Sequence, residues 1–289
     1  MRELTRYIDR IEHGLEQYLK AEDCPQKIVY EAMKYSVDAG GKRLRPVLCL
    51  AACEAFGGKA EEAVAFACAI EMIHTYSLIH DDLPCMDDDD MRRGRPTNHK
   101  VFGEATAVLA GDALLTYAFE VAASCGLPAK QRAEAVRQMA RWSGPDGMIG
   151  GQIVDMLAEE QEITEEQLYF LHEHKTSALI CESLLLGLIA ADADETAKQA
   201  MTEYGRYLGL AFQIRDDMLD VIGESAELGK PIGSDSENTK TTFVTMFGLE
   251  RSAELVQEYT EKAVKAVRHA CASPDFFINF ANDLVNRKK

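Results

Sequence analysis

The stretch Ser77–Asp90, SLIHDDLPCMDDDD, places six aspartates in fourteen residues, directly after an apolar helical run. Two readings of that charge stand side by side: a solvated acidic loop, or a divalent-metal site. Pro84 has no backbone N–H and would break a helix interior. The spacing therefore predicts that Asp81 and Asp82 end a helix and that Asp87 returns from the following turn. Asp88, Asp89 and Asp90 are then either a supporting layer or simply hydrated.

Working outward from this stretch, helical periodicity dominates the chain and the alternation expected of strands is nearly absent. Helices are predicted at roughly 2–21, 25–39, 43–57, 60–82, 104–124, 130–143, 147–159, 164–190, 195–222, 239–248, 250–271 and 274–286. The breaks between them carry glycine and proline, as in FGGKA, CGLPAK, SGPDG and CASPD. The helices at 104–124 and 178–190 are apolar on more than one face and belong in the middle of an assembly. No flexible linker is visible, so the expectation is an all-α fold in one domain, 1–289, a large bundle of ten or more helices.

The 289 residues are 47% hydrophobic and carry a net charge of −17. That charge argues against nonspecific nucleic-acid binding and against adsorption to an anionic membrane. It does not exclude a small anionic ligand held by local cations and metal ions. The eight cysteines include no C-x-x-C pair and lie mostly in apolar helices, which fits a reduced, cytoplasmic setting. The N-terminal stretch is amphipathic and charged, unlike a secretory signal. The most apolar run, Ala178–Ala191, is too short to span a bilayer, so no membrane insertion is expected.

A second acidic stretch is FQIRDDMLD, Phe212–Asp220. On a helix, Asp216 and Asp220 share a face, with Asp217 flanking them and Gln213 one turn earlier. Its neighbours are mostly apolar, which disfavours simple solvation. Carboxylate oxygens are natural ligands for Mg²⁺, which also takes waters and substrate phosphates. Cations lie beside glycines or the acidic runs: Lys42, Arg43 and Arg45 in GGKRLRP; Arg92, Arg93 and Arg95 in MRRGRP; Lys175 with Thr176 in HKTSAL; Lys230 and Lys240 in the segment after the second acidic stretch. Any one of these is an ordinary surface cation when taken alone. Together with two carboxylate clusters they read as a diphosphate–Mg²⁺ site. The pair His172 and His174 is rejected as a zinc site, because residues two apart diverge on a helix.

On these motifs, together with GGQIVDM (Gly150–Met156) and GKPIGSDSENTKTTFV (Gly229–Val244), the chain resembles the trans-isoprenyl diphosphate synthases over nearly its whole length, and most of all their bacterial farnesyl diphosphate branch. The resemblance implies an isoprenoid-synthase bundle around a central cavity. It also implies condensation of isopentenyl diphosphate with an allylic diphosphate, and a homodimer.

By the same resemblance, Asp81, Asp82 and Asp87, with Asp216, Asp217 and Asp220, hold two or three Mg²⁺ ions, Mn²⁺ being an alternative. Arg92, Lys175, Gln213, Lys230 and Lys240 match contacts to the allylic substrate. Gly41, Lys42, Arg45, His74 and Arg93 match the isopentenyl diphosphate site. Lys175, Thr176 and Gln213 are placed to stabilise the carbocation. A terpene cyclase fits less well, lacking GGKRLRP and a second aspartate motif of this kind. A noncatalytic helical subunit would be expected to have lost one of the motifs.

Two residues bear on product length. Helical arithmetic favours Ser77, four before Asp81, as the pocket-facing residue, with Tyr76 turned ~100° away and ~7.5 Å down the helix from Asp81. In the family, a bulky aromatic five residues before the first aspartate resembles the floor of fifteen-carbon synthases. The expectation is that Tyr76 reaches sideways across the tunnel while small Ser77 leaves room. Farnesyl diphosphate is then the main product, with geranylgeranyl diphosphate the alternative.

Overall fold

The computed structural model describes residues 2–20, 23–228 and 241–286, and these are nearly all helical. In order come α1 (Arg2–Tyr18), α2 (Lys27–Val37), α3 (Leu44–Ala55) and α4 (Ala60–Asp81). A two-stranded antiparallel ribbon follows, β1 (Met91–Arg92) with β2 (Arg95–Pro96), and then α5 (Asn98–Phe102), α6 (Glu104–Ser124) and α7 (Ala129–Ser143). The remainder is α8 (Met148–Glu160), α9 (Glu165–His172), a π-helical turn (Glu173–Ser177), α10 (Ala178–Ala190), α11 (Glu195–Leu228), α12 (Phe243–Ala270) and α13 (Asp275–Val285). The fold is all-α, as the periodicity predicts.

The packing divides the chain into two compact units, Met1–Met139 with Leu185–Ala193, and Ala140–Leu184 with Asp194–Lys289. In the first, α4 packs against α1, α2, α3 and α6. It has no polar stripe to turn toward water, and Phe66, Ile70, Met72 and Ile73 are completely buried. Each such side chain contributes about 1.5–3 kcal/mol. In the second unit, α11 packs along α12 over a core that includes Leu168, Leu171, Leu210, Ile214, Phe243 and Leu255.

Two features differ from the expected helices. The helix expected over 164–190 contains the π turn, whose extra residue does not disturb the apolar pattern on either side. Two glycines let neighbours close on it. A Cβ at Gly151 of α8 would lie 2.2 Å from the Lys175 backbone nitrogen, and one at Gly209 of α11 would lie 2.6 Å from the Ser177 Cα. The second feature is the ribbon with α5, too short to register as periodicity. The break expected between 248 and 250 is present within α12, where Gly248 leaves the helical region (φ 78°, ψ 163°).

Candidate active site

In the first unit, α4 stops as Pro84 requires. Asp81 is its last residue and Asp82 its C-cap, with the Asp82 N–H donating to the Leu78 carbonyl at 3.2 Å. The chain turns back, and the Asp87 N–H donates to the Asp81 carbonyl at 2.9 Å. Asp87 is exposed, Asp81 half-buried and Asp82 buried. Arg92, on β1, donates through Nε to Asp82 and through Nη2 to Asp89 at 3.2 Å. Burial pushes the Asp82 carboxyl pKa up; Arg92 opposes that, and Asp89 and Asp87 add to it. The trailing aspartates anchor the ribbon rather than float free. The Thr97 hydroxyl donates to the Asp89 carbonyl at 2.7 Å, and Lys100 pairs with Asp90 at 2.6 Å.

A second cluster surrounds GGKRLRP. Gly40 and Gly41 have φ of 84° and 128°, a region that side chains rarely adopt. Arg93 donates to the Gly40 carbonyl, and its guanidinium lies where a Cβ on Gly41 would stand, 2.8 Å from Cζ. Arg45 Nη1 donates to His74 Nε2 at 3.4 Å. Desolvation, then the charges of Arg45, Arg93, Arg43 and Arg92, hold the His74 pKa well below its ordinary value. The ring is thus neutral and able to accept. Lys42 is exposed beside them. The structure accordingly brings Gly41, Arg93, Arg45 and His74 into one connected cationic patch. Arg43, in the same motif, has another role. It is 3% exposed and donates to Glu71 at 2.5 Å, Glu12 at 2.7 Å and the Val37 carbonyl at 2.7 Å.

In the second unit, the π turn carries Lys175 and Thr176. The Lys175 ammonium is bound to the buried Asp155 carboxylate of α8. The Thr176 hydroxyl donates to Gln213 Oε1 at 3.0 Å, and Gln213 Nε2 donates to Asp217 Oδ1 at 3.0 Å. The other Asp217 oxygen accepts the Phe243 N–H at 3.0 Å. The three aspartates of α11 therefore differ: Asp217 is buried in this relay, Asp216 is half-buried and Asp220 exposed. His174 donates to the Phe170 carbonyl at 2.8 Å and stacks on that ring, while His172 packs against Phe243.

Lys230, Lys240 and the basic end after Asn286 lie outside the described residues. The sequence reading missed Asp155, whose signal was a lone carboxylate within the apolar helix that contains GGQIVDM, and it gave Asp89 no specific partner. Among the described residues, no three Asp, Glu, His or Cys side chains already converge as a ready-made cage. The acidic turn and the α11 stretch nonetheless offer hard carboxylate oxygens, the donor type of Mg²⁺, which completes its shell with waters and substrate phosphates.

A family model described as polyprenyl synthetase matches residues 26–273. A farnesyl diphosphate synthase of Geobacillus stearothermophilus is 44% identical over 263 residues, covering 90% of this chain and 88% of its own. A chloroplastic geranylgeranyl pyrophosphate synthase of Capsicum annuum is 48% identical over 239 residues, covering 82% of this chain and 65% of its own. The crystal structure of an FPP/GFPP synthase from Zymomonas mobilis superposes with a TM-score of 0.88 at 35% identity, covering 98% of this chain and 97% of that one. With the acidic turn, the cationic patch and the π turn in place, the chain belongs to the polyprenyl synthetase family and is a prenyltransferase of isoprenoid biosynthesis.

Proposed function

We propose that this prenyltransferase joins isopentenyl diphosphate to dimethylallyl or geranyl diphosphate, releases pyrophosphate, and stops at farnesyl diphosphate. Arg92, Lys175, Lys230 and Lys240 bind the allylic diphosphate. Lys42, Arg45, Arg93 and the neutral His74 bind isopentenyl diphosphate, with Gly41 allowing backbone and guanidinium to approach closely. Asp81, Asp82 and Asp87, and likewise Asp216 and Asp220 with Asp217 behind them in the Gln213 relay, would hold Mg²⁺, which would neutralise the leaving diphosphate. The Thr176 and Gln213 dipoles favour positive charge at the allylic carbon as its bond to oxygen breaks. The isopentenyl alkene then attacks that carbon, and the departing diphosphate takes the released proton. The exposed apolar side chains Val108 and Leu109 of α6 (39% and 55% exposed) support a second copy of this chain as partner.

The observation that carries the product length is Tyr76. It is 5% exposed, five residues before Asp81, with its ring fixed inside the first unit. A geranylgeranyl product is the second reading, favoured by the name of the 48% identical Capsicum annuum relative.

The test is product length from purified protein given Mg²⁺, geranyl diphosphate and excess isopentenyl diphosphate. Fifteen carbons supports the reading, and mainly twenty replaces it. Tyr76→Ala should move product to twenty carbons or more. Chelation should stop turnover, and added Mg²⁺ should restore it.

A further inference from the structure

We infer that His80 is a positioning residue for product length, holding the Tyr76 ring from the side of α6. The inference rests on the reading of Tyr76 as the floor. Helix spacing puts Tyr76 and His80 on one face, one turn apart. Their ring centroids are 5.7 Å apart with planes at 82°, an edge-on contact. The imidazole is itself immobilised. Its Nε2 donates to the Val108 carbonyl of α6 at 3.1 Å, which fixes the tautomer, since a carbonyl only accepts. Beneath it is Gly111, where a Cβ would lie 2.1 Å from Nε2. Glycine at 111 thus makes the slot and the Val108 carbonyl closes it. With the imidazole fixed, Tyr76 cannot swing toward α6 without displacing it.

Ser77 leaves the stop to Tyr76. Its hydroxyl donates to the His74 carbonyl at 2.9 Å, within its own helix. It therefore presents a small, satisfied side chain and offers no barrier of its own. The stop comes from Tyr76, and the stiffness of that stop comes from His80 seated on α6. Gly111→Ala should evict the imidazole, because the end of the His80 side chain is what the new methyl would meet.

The experiment compares Tyr76→Ala, His80→Ala, His80→Gln and Gly111→Ala, reading the ratio of twenty- to fifteen-carbon product under excess isopentenyl diphosphate. Compared at equal isopentenyl diphosphate consumed per allylic starter, that ratio does not depend on how much of a variant is folded, so a merely structural role slows total turnover and leaves the ratio unchanged. His80→Ala and Gly111→Ala should each raise the ratio about fivefold, in keeping with loss of one edge-on aromatic contact. His80→Gln, which can still present an N–H to the Val108 carbonyl, should rescue it partly. If Tyr76→Ala lengthens product while His80→Ala and Gly111→Ala leave the ratio at the wild-type value, the lock is overturned and the floor stands. If Tyr76→Ala leaves product at fifteen carbons, the floor falls and the lock with it.

Discussion

Asp217 and Phe243 are joined by a 3.0 Å hydrogen bond, in which a carboxylate of α11 accepts the N–H that begins α12. A carboxylate at a helix N-terminus satisfies an orphan donor and meets the positive end of the helix dipole. Asp216, one residue earlier, has a different environment and remains half-buried. The two neighbours should therefore fail differently. Asp217→Ala should lower unfolding stability by about 1–3 kcal/mol, because it strands both Gln213 and the Phe243 N–H. Asp216→Ala should cost at least ~3 kcal/mol of transition-state stabilisation, roughly a hundredfold in rate. Its loss of unfolding stability should be smaller than that of Asp217→Ala. Denaturant melts beside kcat/KM separate the two.

The arginines of GGKRLRP divide in the same way. Arg43→Ala leaves Glu71, itself 1% exposed, without its main ionic partner, and should destabilise by about 3–5 kcal/mol. Arg45→Ala should fold almost normally and raise the KM for isopentenyl diphosphate more than that for the allylic substrate. Lys230→Ala should do the reverse. Equal movement of both Michaelis constants in Arg45→Ala and Lys230→Ala would contradict the assignment of two diphosphate sites.

His74 gives a pH signature. Its folded pKa is depressed by desolvation and surrounding arginines. The unfolded chain takes up a proton near the ordinary histidine value of about 6.5, while the folded protein refuses it. Stability from this group is thus complete above ~6.5 and falls as pH drops below that value, toward the folded pKa. His74→Gln should flatten the decline in unfolding free energy between pH 7.5 and 5.5. An identical decline in both proteins would show that other groups control it.

The π turn can be tested through its packing. A methyl at Gly151 would press into the backbone at Lys175, where there is no flexible side-chain end to yield. Gly151→Ala should destabilise by about 1–3 kcal/mol through overpacking. It should also lower kcat at saturating substrates, because Lys175 and Thr176 move with the turn. Full kcat in the folded fraction would separate the turn from the chemistry.

Most helices were legible because glycine and proline mark their ends, and α4 stopped where Pro84 forced it to stop. Both acidic stretches stood out by charge within apolar surroundings. What stayed hidden has physical reasons. Arg43 and Arg45 look alike in sequence, and only the left-handed φ of 48° at Arg43 goes with its inward course. The π turn adds one residue to a helix that is apolar before and after it, so the pattern barely changes. Asp155 reads as an ordinary acid until Lys175 is seen beside it.

The π turn also sets the phase of everything that follows it in the helix. The wide turn takes up one residue beyond the α count, so α10 keeps its phase, whereas deleting one residue between 178 and 186 would rotate the part of α10 beyond it by about 100° and retract it by about 1.5 Å. Gly187, whose missing side chain admits the Cys49 carbonyl where a Cβ would stand only 2.2 Å away, would turn aside and a neighbouring leucine would turn toward that carbonyl. Substitutions in this segment change one side chain, whereas a deletion re-aims the rest of the helix. Natural variation here is thus expected in residue type and not in length.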